Sequence, residues 1–145
     1  MSATPSPPTM TSTATVLLVE DCQSDRTLLQ MRCRNQGLSV NWQITGSCAE
    51  TEVLLQRIDC GLIAKPGLAI IDQRLPDGDG AALIDRLAAR LPGTRLLLYS
   101  CLPPVIPDDL AESMTVDRLV KPREYAGYDV ILDIIRQTAT RFEPS

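Results

Sequence analysis

Apolar residues in this chain follow two patterns, and the two alternate along its length. Short continuous runs occur at 16–19 (VLLV), 68–71 (LAII) and 95–99 (RLLLY), as expected of strands buried on both faces. Between them lie stretches with helical spacing. Residues 21–24 offer turn and N-cap residues for a helix over 25–36, closed by Gly37. Residues 38–45 (LSVNWQIT) alternate strictly, with Leu38, Val40, Trp42 and Ile44 on one side, which marks a strand covered on one face or lying at a sheet edge. Ser47-Cys48-Ala49-Glu50 fits a capping box opening a helix over 48–59. Leu83, Leu87 and Leu91 give a helix over 80–91, stopped by Pro92-Gly93. Pro103, Pro104 and Pro107 leave room for only a short fourth helix, at 108–114. Leu119-Val120 ends a last short strand, and Val130, Ile131, Ile134 and Ile135 line a final helix to about 142. Strand and helix alternate five times, so the expected fold is α/β and doubly wound, a parallel sheet with helices on both faces.

Composition narrows this picture. Residues 1–14 are rich in Ser, Thr and Pro and read as a disordered tail, leaving one domain over 15–143. One Phe, one Trp and three Tyr leave the core to Leu, Ile, Val and Ala, and the five cysteines are read as small buried hydrophobes. A net charge of −4 without any basic run argues against nucleic acid as a partner. No apolar stretch approaches the ~20 residues needed to span a bilayer, and the N-terminus lacks the charge and apolar core of a signal peptide. The expectation is a cytoplasmic protein with reduced thiols. With no His in the chain, His-based catalysis and Cys/His zinc sites are excluded.

The chemistry lies at the strand ends. In doubly wound sheets the functional crevice is outside the carboxyl ends of the strands. The apolar runs end, in order, in Glu20-Asp21, Asp72, Ser100 and Lys121-Pro122. Carboxylates crowded at one edge repel unless a cation or an ammonium group neutralises them. A hard divalent ion such as Mg2+ does so with one or two carboxylates, waters and phosphate oxygens.

The segments VLLVEDCQSD, AIIDQRLPDGDG, LLLYSC and LVKP, in that order and each at the end of an expected strand, resemble the receiver domain of two-component response regulators. The resemblance covers about residues 15–142. It implies a flavodoxin-like, five-stranded sheet in the order 2-1-3-4-5. It further implies that Asp72 is the phosphoacceptor, attacking the phosphorus of a donor phosphohistidine as a carboxylate nucleophile. Asp21 and Asp72 would then bind Mg2+ with the main-chain carbonyl of Arg74, and Glu20 would act through water. Ser100 would hydrogen-bond a phosphoryl oxygen, and Lys121 would pair with Asp72 at rest and with the phosphoryl group afterwards. The implied partners are a histidine kinase or histidine phosphotransfer protein and an unidentified downstream protein. The implied chemistry is limited to phosphorylation and dephosphorylation of the chain itself, so it is not an enzyme acting on other substrates.

Two departures from the family stand out. Arg118 occupies the position, three residues before Lys121, where receivers carry the aromatic that swings with Ser100. The proline-rich segment after Ser100 replaces a regular fourth helix. These motivate an alternative, a receiver-like interaction module that works without phosphorylation. A third reading, a Mg2+-dependent phosphohydrolase, is weakened because Gln73 and Arg74 follow Asp72 where a second acid would be needed. Three residues lie beyond Phe142, so the chain is expected to act as a stand-alone receiver. Asp77-Gly78-Asp79-Gly80 lacks the full ligand spacing of a calcium loop and reads as the turn and N-cap of the third helix.

Overall fold

Strands whose every residue is apolar must be covered on both sides, and this requirement organises the chain. The computed structural model describes residues 13–100, 116–120 and 128–141. Its elements in chain order are β1 (Ala14–Val19), α1 (Gln23–Asn35), β2 (Val40–Thr45), α2 (Cys48–Asp59), β3 (Leu68–Asp72), β4 (Arg74–Leu75), β5 (Gly78–Asp79), α3 (Gly80–Arg90), β6 (Arg95–Ser100), β7 (Val116–Val120) and α4 (Asp129–Arg141). β2, β1, β3, β6 and β7 pair in that order into one parallel sheet, the 2-1-3-4-5 arrangement once the small β4–β5 pair is set aside. The expected short helix at 108–114 lies outside the described residues. Among the described residues no helix is long and apolar enough to cross a membrane.

Because side chains alternate across a strand, each run feeds two cores. Val16, Leu18, Ile70, Leu97 and Tyr99 pack with Leu29 and Cys33 of α1 and Ile131 and Ile135 of α4. Leu17, Val19, Ala69, Ile71, Leu96 and Leu98 pack on the other face with Leu55 of α2 and Leu83, Ile84 and Leu87 of α3. Each such aliphatic side chain contributes about 1.5–3 kcal/mol relative to leaving it in water.

Several boundaries differ from expectation for local reasons. β1 begins at Ala14, which is buried and donates its N–H to the Ser39 carbonyl at 3.1 Å, so the sheet reaches one residue into the expected tail. α1 begins at Gln23 with Cys22 as its N-cap and no side-chain cap, so Asp21 and Ser24 do not play that part. Its end is as expected: Gly37 takes φ +72°, which glycine adopts without strain, and Leu38 N–H returns to the Cys33 carbonyl at 2.9 Å. β2 begins at Val40 and lies at the sheet edge, but its polar side is the better covered. Gln43 and Thr45 are buried, Gln43 donating to the Ala64 carbonyl at 2.7 Å and Thr45 sharing a 2.8 Å hydrogen bond with Thr51 of α2. Of the described cysteines only Cys33 is fully buried; Cys22 and Cys60 are exposed and Cys48 is half-buried, which corrects the reading of these residues as core. Burial raises the Cys33 thiol to a pKa of about 11, against the opposing charges of Arg136 and Arg32.

The segment after Asp72 is held more tightly than a turn would be. Arg74–Leu75 pairs antiparallel with Gly78–Asp79, a miniature hairpin that the sequence did not suggest. Asp79 caps α3 as expected, accepting from Ala81 N–H at 2.7 Å. Asp77 reaches instead to the start of α2, its two carboxylate oxygens accepting from the N–H groups of Cys48 (2.7 Å) and Ala49 (2.9 Å). Ser47 Oγ accepts from Glu50 N–H at 3.1 Å, while the Glu50 carboxylate turns to Gly46 N–H (2.7 Å) rather than closing the capping box on Ser47. The first N–H groups of α2, which have no partner within the helix, are thus satisfied from two parts of the chain. These hydrogen bonds from Cys48 and Ala49 hold the Asp77 carboxyl below its ordinary pKa. Gly80 joins the hairpin to the strand: its N–H donates to the Gln73 carbonyl at 2.7 Å, and a Cβ placed there would lie 2.1 Å from the Asp72 carbonyl oxygen.

Both features bear on stability. Gly80→Ala should cost about 2–3 kcal/mol, read by urea denaturation, because the obstacle is main chain and cannot swing aside. Asp77 has a folded pKa below its ordinary value of 3.8, so its charge contributes stability above that pH which is lost as pH falls through the folded value. Asp77→Asn should therefore lower the urea midpoint at neutral pH, and the gap to wild type should close as the pH falls through the lowered carboxyl pKa.

Candidate metal and phosphoacceptor site

The register of the parallel strands decides which side chains meet at the carboxyl edge. Val19 lies opposite Ile71, so Glu20, the residue after β1, is delivered beside Asp72, the last residue of β3. Asp72 in turn lies opposite Tyr99, and Ser100 opposite Val120. The carboxylates of Glu20, Asp21 and Asp72 come together with one oxygen of each within 4.8 Å of the others. Glu20 is fully buried and Asp72 is 6% exposed, whereas Asp21 is open to solvent. The cluster therefore has a sealed side and an accessible one.

Main-chain and side-chain donors hold the acids in place. Cys22 N–H donates to Glu20 Oε2 at 3.1 Å, and the Tyr99 hydroxyl donates to Glu20 Oε1 at 2.5 Å. Arg26 Nε donates to the Glu20 carbonyl at 2.5 Å, tying α1 to the end of β1. Asp72 Oδ1 accepts from Arg74 N–H at 3.1 Å. Tyr99 is held well above its usual pKa, first by burial, then by the charge of Glu20 and its hydrogen bond to that carboxylate, and then by Asp72. Its phenol therefore stays protonated and remains a donor. Three converging carboxylates with one open face form an oxygen donor set suited to a hard divalent cation.

The structure thus brings together Glu20, Asp21 and Asp72 and sets the buried Ser100 at the end of the neighbouring strand. Arg74 is exposed at the start of the hairpin and engages Asp72 through its N–H. Lys121 lies outside the described residues, immediately after β7. Arg118 is placed in β7 opposite Leu98, and its side chain also lies outside the described set. Two residues were missed in the sequence. Asp77 looked like turn chemistry, because its partner Cys48 N–H is 29 residues away. Tyr99 looked like the last apolar residue of a buried run. Period-two counting offered a signal, since Leu97 shares a face with Ile70 and Leu18, and two residues further on Tyr99, Asp72 and Glu20 share it too.

No protein-family model matches the chain, and no curated protein does. Solved structures do match it. The Mn(2+)-bound form of response regulator Rcp1 superposes with a TM-score of 0.66 at 18% identity, over 86% of this chain and 92% of that one. The phosphorylated cyanobacterial phytochrome response regulator RcpA gives 0.69 at 17% identity, over 90% and 96%. The receiver domain of the hybrid histidine kinase CckA gives 0.63 at 18% identity, over 86% and 98%. These likenesses show that the chain has the fold of a response-regulator receiver domain.

Proposed function

We propose that this chain is a Mg2+-dependent receiver that accepts a phosphoryl group on Asp72 from a histidine kinase or histidine phosphotransfer protein. It then signals by phosphorylation-dependent binding of a downstream protein, or by passing the phosphoryl group on. The observation that carries this reading is the convergence of the Glu20, Asp21 and Asp72 carboxylates at the carboxyl edge of a receiver fold.

The roles derive from exposure and position. Asp72 supplies the attacking oxygen: a new P–O bond forms as the P–N bond of the donor phosphohistidine breaks, and the imidazole leaves. Asp21, on the open side, and Asp72 would hold Mg2+ together with the Arg74 carbonyl, with Glu20 behind them on the sealed side. Mg2+, when bound, supplies neutralisation of the phosphoryl oxygens. Ser100 would hydrogen-bond a phosphoryl oxygen, and Lys121 would pair with Asp72 at rest and with the phosphoryl group afterwards. Because Arg118 stands where receivers carry an aromatic, the response of the surface is carried by Ser100 and by Arg118 repositioning. The chain acts on no other substrate and works in the cytoplasm.

The measurement is intact mass after incubation with acetyl phosphate or phosphoramidate and Mg2+. Wild type should gain one phosphoryl group; Asp72→Ala, and wild type in chelator, should gain none. Asp21→Asn should raise the Mg2+ concentration required by about tenfold or more. A folded wild-type chain that binds Mg2+ yet stays unmodified, also with its cognate kinase, would favour the phosphorylation-independent interaction module. Equal partner affinity for wild type and Asp72→Ala would favour it as well.

A further inference from the structure

The hydrogen bond between Tyr99 and Glu20 joins two strands that are not neighbours. β1 and β6 are separated by β3, so the phenol reaches past the end of the strand that carries Asp72. Tyr99 itself is 1% exposed and belongs to the buried cluster that includes Leu18, Ile70, Leu97, Tyr128 and Ile131, so its side chain is enclosed by the core. Glu20 is equally enclosed, and both of its oxygens are engaged, Oε1 by the phenol and Oε2 by Cys22 N–H. Water cannot hold the orientation of a carboxylate so enclosed, and Asp72 beside it repels it. The Tyr99 hydroxyl opposes that repulsion by drawing negative charge from one oxygen through a short, charge-assisted hydrogen bond.

We infer that Tyr99 is a positioning residue of the divalent-cation site: its hydroxyl, anchored in the core beneath the site, fixes Glu20 against Asp72 so that the three carboxylates are already converged when a cation arrives. This rests on the proposed reading of the site as a metal centre. Tyr99 touches neither cation nor substrate. It acts through Glu20, as outer partners of metal ligands generally do by fixing a ligand's direction and electron density. The same strand end carries Ser100, the next residue, so the support of the metal site and the hydroxyl expected to meet the phosphoryl group share one piece of backbone.

The test uses the full chain and Mn2+ as the probe, with free Mn2+ counted by electron paramagnetic resonance and Mg2+ affinity obtained by competition. Tyr99→Phe keeps the ring and removes only the hydroxyl, and circular dichroism with urea denaturation establishes that the metal-free variant is folded. Its affinity for Mn2+ should fall by about tenfold, at the lower end of what losing an outer partner of a metal ligand costs. In a Glu20→Gln background the same change should alter affinity much less, because the carboxylate that the hydroxyl positions is gone. A purely structural role predicts otherwise: unchanged affinity in folded Tyr99→Phe, or equal losses in both backgrounds, and either result overturns the inference. If Tyr99→Phe does not fold, 3-fluorotyrosine placed at position 99 preserves the packing. Its fluorine resonance should then shift on addition of Mg2+, and a resonance that does not respond overturns the inference. Failure of wild type to bind Mn2+ or Mg2+ would overturn the metal reading and this inference together. Wild-type binding matched by Tyr99→Phe would overturn the role of Tyr99 alone.

Discussion

Parallel pairing of β1 with β3, Val19 opposite Ile71, is the constraint on which the rest of this molecule depends. It ends two buried strands side by side at the same level and leaves Glu20 and Asp72 no choice but to be neighbours. Val16–Val19 of β1 and Leu68–Ile71 of β3 are apolar and buried on both faces, so neither strand can slip by one residue without moving every side chain to the opposite core. The hydrophobic cores therefore enforce an electrostatically unfavourable juxtaposition. Donors placed by other elements offset it: Cys22 N–H from the entry to α1, the Tyr99 hydroxyl from β6 and Arg74 N–H from the hairpin. A cation would complete what these hydrogen bonds begin.

The loop after Asp72 is constrained in the same way. Its backbone is pinned at one end by Gly80, whose missing Cβ lets α3 start against the Asp72 carbonyl. At its tip Asp77 holds it by accepting from the first turn of α2. Between these lies a two-residue ladder, β4 with β5. The carboxylate of Asp72 thus projects just before a segment whose path is fixed at one end and at its tip, which suits the in-line phosphoacceptor role proposed for it. Ion pairs between α2 and α3, Arg86 and Arg90 with Glu52 and Arg90 with Asp59, tie the two helices that flank this loop. They are surface pairs and add little individually.

Most of the architecture was legible because it depends on short-range periodicity. The apolar runs 16–19, 68–71 and 95–99 announced strands covered on both faces, and their alternation with helical spacing required crossover connections and hence a parallel sheet. The acidic pair and Asp72 were legible for the same reason, as polar residues ending those runs. Element ends were less so. Asp21 and Ser24 are good N-cap types, yet α1 is capped by neither: Cys22 is its N-cap, without a side-chain hydrogen bond, and its own N–H goes to Glu20.

The sequence by itself determined the order of the strands' apolar faces, the residues at their carboxyl ends and the places where glycine closes a helix, since each is set by neighbours a few positions apart. Only the tertiary structure decided that Asp77 serves α2 rather than its own turn, that the polar side of β2 is the one covered, and that Tyr99 holds Glu20. Those contacts span 28 or 29 residues for Asp77, 21 for Gln43 and 79 for Tyr99. Nothing in a local pattern distinguishes a tyrosine that merely fills a core from one whose hydroxyl ends beside a buried carboxylate. The difference arises from strand register, which sets distances across the sheet that the chain's own order does not contain.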